Sequence, residues 1–173
     1  MLALEHGAIL VKLARESIAT YFSKKGPKVD INIKKELSQR MGVFVTLNKE
    51  GMLRGCIGFP EPMHPLYKAV IDAARSAAFS DPRFPPLDKE ELNAITIEVS
   101  VLTAPVLIEV RNPEDLISSI NVGKDGLIVR GVFNSGLLLP QVAVEYKWDA
   151  KTFLEQTCVK AGLPPSTWTD FNA

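Results

Sequence analysis

Two β-prone runs joined by a short polar turn constrain this chain more than any other feature. Residues 43–47 and 53–59 are rich in apolar side chains, and residues 48–51 between them end in Gly51. This pattern predicts an antiparallel β-hairpin. If the second strand alternates without interruption, its side chains form two sets that face opposite ways. One set is Leu53, Gly55, Ile57 and Phe59, and the other is Arg54, Cys56 and Gly58.

The second strand of this hairpin is the predicted functional site. Alternation places the guanidinium of Arg54 and the thiol of Cys56 on one face of the sheet. Gly55 and Gly58 weaken a strand, so their presence favours a bulge or the close approach of another group. We therefore expect Arg54, Gly55 and Gly58 to contribute to substrate binding.

Arg54 is the strongest candidate for an anion-binding residue. A guanidinium between small residues on a sheet face is costly unless an anionic group meets it. The partner could be Glu98, on the polar face of a strand predicted over residues 95–102. It could equally be the phosphate or carboxylate of a ligand, bound in bidentate fashion. The sequence leaves both alternatives open.

Cys56 is a candidate nucleophile. Such a thiol needs a nearby cation, which Arg54 could supply, and a base, for which His64 and Glu98 are the candidates. The alternative is that Cys56 is a small apolar residue that fills a strand position, as free cysteines often do. Cys158 lies on the apolar face of a predicted helix, which indicates core packing.

Three more charged residues are candidate substrate-binding groups. Arg75 lies among alanines in a helix predicted over residues 65–79, so its side chain must reach solvent or meet a carboxylate. Asp81 and Arg83 follow in a proline-rich segment. They either pair with each other and fix that loop or line the site.

The sequence predicts no metal site and identifies no cofactor. The potential ligands are His6, His64, Cys56 and Cys158. Their spacing matches no recognised zinc motif, and two cysteines are too few for a disulfide framework.

The pattern of elements predicts an α/β protein of the α+β type, with a mainly antiparallel sheet covered by helices. Helices are predicted over residues 2–24 and 65–79. A lobe boundary is expected near residues 104–105, followed by a smaller β-rich lobe over residues 104–139. That lobe includes strands at 106–110, 127–132 and 136–139. Residues 140–173 are assigned to the larger lobe, and the two lobes are expected to enclose a cleft.

Composition limits the classes of partner. Lys plus Arg and Asp plus Glu number 20 each, so no net field attracts nucleic acid or an anionic membrane. No apolar run approaches the length of a membrane span, and the N-terminal pattern fits neither a signal peptide nor a transit peptide. We therefore expect a cytoplasmic protein with reduced thiols.

Four blocks of the sequence resemble the AMMECR1 family, in the family's order. They are LRGCIG at 53–58, AFSDPRFPPL at 78–87, EVSVL at 98–102 and LLPQVA at 138–143. The resemblance implies one AMMECR1-like domain over residues 1–173, with the first block lining a cleft. It implies no particular reaction. Prokaryotic relatives are associated with Memo-like and radical-SAM proteins, which are therefore the expected protein partners.

Two functions follow from these observations. The first is an enzyme that acts on a small anionic molecule, with Arg54 as anchor, Cys56 as nucleophile and Glu98 or His64 as the proton carrier. The alternative is a binding or scaffold module for a peptide or protein, in which Cys56 is structural.

Overall fold

The predicted hairpin is present and forms two strands of a three-stranded sheet. The structure is a computed structural model and describes residues 4–170. Strand β1 (Gly42–Lys49) pairs in antiparallel fashion with β2 (Met52–Phe59) and with β3 (Ile95–Leu102), giving the order β2-β1-β3. Glu50 and Gly51 join β1 to β2 with φ of 53° and 78°. Two successive positive φ values are typical of the tight turns that match the twist of a hairpin.

Helices cover one face of this sheet. They are α1 (Leu4–Tyr21) and α3 (Leu66–Phe79). Helix α2 (Ile31–Glu36) precedes β1, and a 3-10 helix (Lys89–Asn93) precedes β3. Val43, Val45 and Leu47 of β1 are fully buried in the core that α1 and α3 share with the sheet. The alanines of α3 let this helix lie close to β2: a Cβ at Gly55 would meet the main-chain carbonyl of Ala77.

A register shift interrupts the alternation of β2. Leu47 pairs with Gly55 but the next residue, Asn48, pairs with Leu53, so Arg54 is the extra residue of a β-bulge. Because Leu47 and Asn48 are adjacent and face opposite ways, their partners Gly55 and Leu53 also face opposite ways. The prediction that Leu53 shares a face with Gly55 is therefore wrong, and the alternation that grouped Arg54 with Cys56 does not hold.

Residues from 105 onward form a second compact unit. It contains α4 (Pro113–Ser119), β4 (Leu127–Arg130), β5 (Ser135–Leu138), α5 (Pro140–Glu145), α6 (Ala150–Lys160) and a 3-10 helix (Thr167–Thr169). Strands β4 and β5 form an antiparallel pair. The hydrophobic core of the second unit consists of Ile120, Leu127, Leu138, Ala143, Phe153 and Leu154. Asp149 caps α6 by accepting the N–H of Thr152 at 2.7 Å.

The mixed α/β class with antiparallel sheets is confirmed: residues 4–170 contain six α-helices, a three-stranded sheet and a two-stranded sheet. Two details differ from the prediction. Residues 106–110 form no strand, because a β-prone run needs a partner ladder, and Val106 and Leu107 are 86% and 80% exposed. Helices α5 and α6 belong to the unit that holds β4 and β5, and not to the unit of the larger sheet.

The structure also bears on membrane crossing. No helix within residues 4–170 has both the length and the apolar character that a bilayer span requires.

Candidate functional site

Cys56 lies at one end of a row of three side chains on the sheet face opposite the buried core residues of β1. It pairs with Thr46 of β1, which in turn pairs with Glu98 of β3. Paired residues of an antiparallel sheet point to the same face, so Cys56, Thr46 and Glu98 form a row across three strands. The hydroxyl of Thr46 donates to Sγ of Cys56 at 3.3 Å. The sequence analysis placed Glu98 correctly on a polar strand face but missed Thr46, which only the register could identify.

The main chain of Cys56 is held by an ion pair from the loop after α3. Asp81 Oδ2 accepts the N–H of Cys56 at 2.8 Å, and Nη2 of Arg83 donates to its carbonyl at 3.2 Å. Asp81 and Arg83 also bind each other, through Nη2 and Oδ2 at 2.7 Å and through Nε and Oδ1 at 3.0 Å. We call this the Asp81–Arg83 pair. Because β2 is an edge strand, these contacts satisfy the main-chain groups of Cys56 that point away from β1.

The two members of this pair differ in exposure. The side chain of Asp81 is 2% exposed and that of Arg83 is 53% exposed. The hydrogen bond from Arg83 holds the pKa of Asp81 well below its usual range, and the N–H of Cys56 adds to this shift. Asp81 in turn raises the pKa of Arg83, to which the Cys56 thiol also contributes. Arg83 is therefore the cation beside Cys56, and Asp81 is the buried group that positions it.

Arg54 is committed to a different cluster. Its Nη2 and Nε donate to Glu91 Oε2 and Oε1 at 2.8 and 3.1 Å, and its Nη1 donates to the carbonyl of Pro85 at 3.0 Å. Lys49 donates to the same carboxylate at 2.9 Å. The Arg54 and Glu91 side chains are only 13% and 16% exposed. A carboxylate therefore binds Arg54 in bidentate fashion, as the sequence suggested, but it belongs to Glu91 and not to Glu98 or a ligand.

Glu91 has a second role that its sequence position did reveal. It closes a capping box on the 3-10 helix by accepting the N–H of Asp88 at 3.1 Å. Arg54, with smaller contributions from Lys49 and the Asp88 N–H, lowers the pKa of Glu91 to about 2. A capping box can be recognised from local spacing. The contact with a strand 37 residues earlier has no local signal.

The two glycines of the LRGCIG block are explained by packing. The space where Gly55 would carry a Cβ is taken by the main chain of α3. At Gly58 it is taken by the Phe44 ring and the Val43 carbonyl. The room that was expected for a ligand beside Gly55 and Gly58 is therefore occupied by the protein itself.

The remaining candidates lie in separate surroundings. The His64 ring meets the ring of Phe59 edge to face at 6.5 Å, and among residues 4–170 no hydrogen bond links it to Cys56. Arg75 donates to the carbonyls of Ser17 and Lys25 at 3.3 and 3.1 Å, which associates it with the end of α1. The structure therefore joins Asp81, Arg83 and Glu98 to the surroundings of Cys56, and it gives Arg54, His64 and Arg75 other partners.

Cys158 is buried, as predicted. It is fully inaccessible in the core of the second unit, and burial raises the pKa of its thiol. This cysteine is therefore the natural internal reference for the reactivity of Cys56, which is half-buried.

Comparison with known proteins agrees with the motif resemblance. The family model described as AMMECR1 matches residues 11–173. The chain belongs to the AMMECR1 family. It is 53% identical over 170 residues to a protein of Methanothermobacter thermautotrophicus, covering 98% of this chain and 88% of that protein. It is 54% identical to Protein PF1979 of Pyrococcus furiosus over 173 residues, with coverage of 96% and 81%.

A solved structure of the family has the same fold. The crystal structure titled as that of uncharacterized protein PH0010 from Pyrococcus horikoshii superposes with a TM-score of 0.90 at 50% sequence identity. The match covers 97% of this chain and 85% of that one. The AMMECR1 assignment predicted from the four sequence blocks is therefore confirmed.

Proposed function

We propose that this AMMECR1 protein is a thiol enzyme that acts on a small anionic molecule, with Cys56 as nucleophile and Arg83 as anion anchor. The observation that carries this proposal is the Asp81–Arg83 pair, which binds the N–H and the carbonyl of Cys56 at 2.8 and 3.2 Å. A buried carboxylate thereby fixes both the cysteine backbone and the cation beside it. Arg83 takes the role that sequence reasoning gave to Arg54.

The guanidinium of Arg83 retains donors for a ligand. Its hydrogen bonds use Nε and Nη2, and within residues 4–170 Nη1 donates to no group. A guanidinium has five N–H donors in a fixed planar fork, which suits the bidentate binding of carboxylate or phosphate. Its orientation is restricted by Asp81 and by the Phe84 ring, whose centroid lies 5.5 Å from Cζ. An anion bound to Nη1 would lie on the same guanidinium that contacts the Cys56 carbonyl through Nη2.

The polar row suggests how the other side chains would act. Thr46 orients the sulfur of Cys56 through its hydroxyl hydrogen bond. Glu98 is two strands away from Cys56, which corresponds to roughly 10 Å between backbones at the usual strand spacing. This separation is too long for direct proton transfer to or from the thiol. In our proposal Glu98 therefore exchanges a proton with a substrate that extends along the row, and the thiol proton leaves to solvent.

Two alkylating reagents that differ only in charge test this proposal. Iodoacetate and iodoacetamide react by the same step, in which sulfur displaces iodide and the thiol proton goes to solvent, but only iodoacetate is an anion. We expect the ratio of the iodoacetate rate to the iodoacetamide rate to be about twofold to fivefold higher at Cys56 than at a free thiol. This is the effect of one exposed ion pair. Arg83→Gln should remove this preference and Arg83→Lys should retain part of it. Mass spectrometry of the peptides that contain Cys56 and Cys158 measures the alkylation rates of the two cysteines in one sample.

A matched control separates a local effect from net charge. Lys89→Gln removes one exposed positive charge from the same unit and should leave the reagent preference unchanged. If Cys56 shows no preference for the anionic reagent, or if Arg83→Gln and Lys89→Gln behave alike, Arg83 is not an anion anchor for the thiol.

A second candidate is a module that captures a peptide or protein, because the spaces beside Gly55 and Gly58 are filled by the protein and leave no room there for a small ligand. The partners expected from the family resemblance, Memo-like and radical-SAM proteins, remain proposals under this alternative. A module of this kind should retain a purified partner after Cys56→Ser and lose it after Arg83→Gln. An enzyme should lose turnover in both variants.

A further inference from the structure

We propose a second binding site in this protein, for the phosphate group of a small phosphate monoester, at the end of α1. The structure has an open depression there of about 550 Å³. Its lining residues are Tyr21, Phe22, Lys24, Lys25, Gly26 and Arg75. We call it the α1 depression. Its residues are separate from those of the thiol site, so this inference goes beyond the proposed function and does not depend on it.

The charges of the lining favour an anion. Three of the six residues are cationic and none carries a carboxylate. The end of a helix has carbonyl groups with partial negative charge, which would oppose an anion. Here several are already engaged, because Arg75 binds the carbonyl of Ser17 and the N–H groups of Lys24 and Lys25 bind those of Tyr21 and Thr20. The positive side chains therefore dominate the depression.

Arg75 is oriented before any ligand binds. Its Nε and Nη2 donate to the carbonyls of Ser17 and Lys25, and its Cζ lies 6.0 Å from the centroid of the Tyr21 ring. Within the part of the chain that the structure describes, Nη1 donates to no group. The planar fork is thus fixed by two main-chain contacts while donors remain for a ligand, which is a suitable geometry for a phosphate or carboxylate.

Lys24 has a backbone conformation that glycine adopts at lower energy. Lys24 has φ of 54°, in the left-handed region that side chains other than those of Gly, Asn and Asp rarely adopt. The position just after a helix end is commonly Gly for this reason. A lysine in this conformation is a local cost to the fold. Lys24 and Lys25 are both exposed, so their charges are available at the rim.

The size and the walls of the depression indicate the rest of the ligand. A volume of about 550 Å³ is in the range of small-molecule sites and exceeds the needs of a free phosphate ion. Tyr21 is 48% exposed, and Phe22 and Phe79 support its ring, the latter by stacking at 3.9 Å. A phosphate monoester with an apolar or planar portion therefore matches both the cationic and the aromatic parts.

Calorimetric titration with three probes tests the inference. AMP carries a phosphate and a planar base, adenosine lacks the phosphate, and inorganic phosphate lacks the base. We expect AMP to bind more tightly than phosphate and adenosine to bind least. Lys24→Glu and Lys25→Glu should each weaken AMP binding by at least about twofold to fivefold, as expected for loss of an exposed charge contact. Lys35→Glu, an exposed lysine of α2 outside the depression, should change it by less than twofold.

Lys24→Gly provides a readout that a purely structural role would not give. Glycine relieves the left-handed conformation, so this variant should have a higher Tm and yet bind AMP more weakly. The inference is overturned if AMP does not bind, if adenosine binds as well as AMP, or if AMP binding survives Lys24→Glu and Lys25→Glu. Arg83→Gln should leave AMP binding unchanged, and a loss there would assign the nucleotide to the thiol site instead.

Discussion

Glu91→Gln removes the carboxylate that Arg54 and Lys49 share. In the native protein this carboxylate accepts from both cations, at 2.8 and 3.1 Å from Arg54 and at 2.9 Å from Lys49. The variant keeps the size and one acceptor oxygen of the side chain. It leaves the Arg54 guanidinium, only 13% exposed, with the Pro85 carbonyl and a neutral amide. A partly buried cation without its counter-charge is destabilising.

The magnitude follows from the pKa of Glu91. It falls from 4.5 to about 2, chiefly because of Arg54. At about 1.4 kcal/mol per pKa unit, the folded protein favours the ionised carboxylate by roughly 3 kcal/mol. Gln can still accept one of these hydrogen bonds, so we expect Glu91→Gln to lower the free energy of unfolding at pH 7 by about 2 kcal/mol.

The effect should depend on pH in a defined direction. A folded pKa below the unfolded one means that the stabilisation is complete above pH 4.5 and is lost as the pH falls towards 2. The difference between the wild type and Glu91→Gln should therefore shrink over this window and vanish at its lower end. Asp81 titrates in both proteins, so its contribution cancels from the difference between their free energies of unfolding.

Urea unfolding followed by circular dichroism, at several pH values from 7 to 2, measures these differences. Trp148 and Trp168 lie in the second unit, so their fluorescence would not report on Glu91. Hydrogen exchange of the peptide that spans residues 42–59 localises the loss at pH 7. Glu90→Gln, an exposed neighbour in the same 3-10 helix, is the matched control and should be nearly neutral. Equal effects of the two variants, or a difference that does not change with pH, would refute the reasoning.

Three further outcomes are expected. Gly55→Ala should destabilise the first unit by roughly 2–4 kcal/mol, because its Cβ would overlap a main-chain carbonyl of α3. Gly7→Ala, in the open helical face of α1, is the control and should be neutral or stabilising. Thermal unfolding compares the two variants. Asp81→Asn should cost roughly 1–3 kcal/mol in urea unfolding at pH 7, since it leaves Arg83 without its counter-charge, and a neutral result would contradict this. Cys158 should resist alkylation in the native protein and react in urea, because it is buried and its pKa is raised; labelling in buffer would show that the second unit opens readily.

The elements of the first unit could be predicted because their signals are local. Strand 95–102 and the helix ending at residue 79 were predicted with nearly the observed bounds, since alternation and helical periodicity depend on neighbouring residues. Residues 106–110 have the same β-prone composition and form no strand. Whether such a run becomes a strand depends on a partner, and no local pattern encodes the partner.

The arrangement of the candidate site could be predicted only in part, for a similar reason. The sequence pointed to Cys56 and included Asp81, Arg83 and Glu98 among the candidates. Unbroken alternation of side chains along the second strand predicts Arg54 as the cation beside the thiol. One bulged residue invalidates that assumption, and a bulge is determined by how two strands pair.

The Asp81–Arg83 pair also has a consequence for association between molecules. An edge strand offers unpaired main-chain groups to any other strand that approaches it, and this is a common route to aggregation. On β2 the carboxylate and the guanidinium already take the place that such an intruding strand would need at Cys56. The same two side chains thereby block the addition of a further strand at this point of the β2 edge.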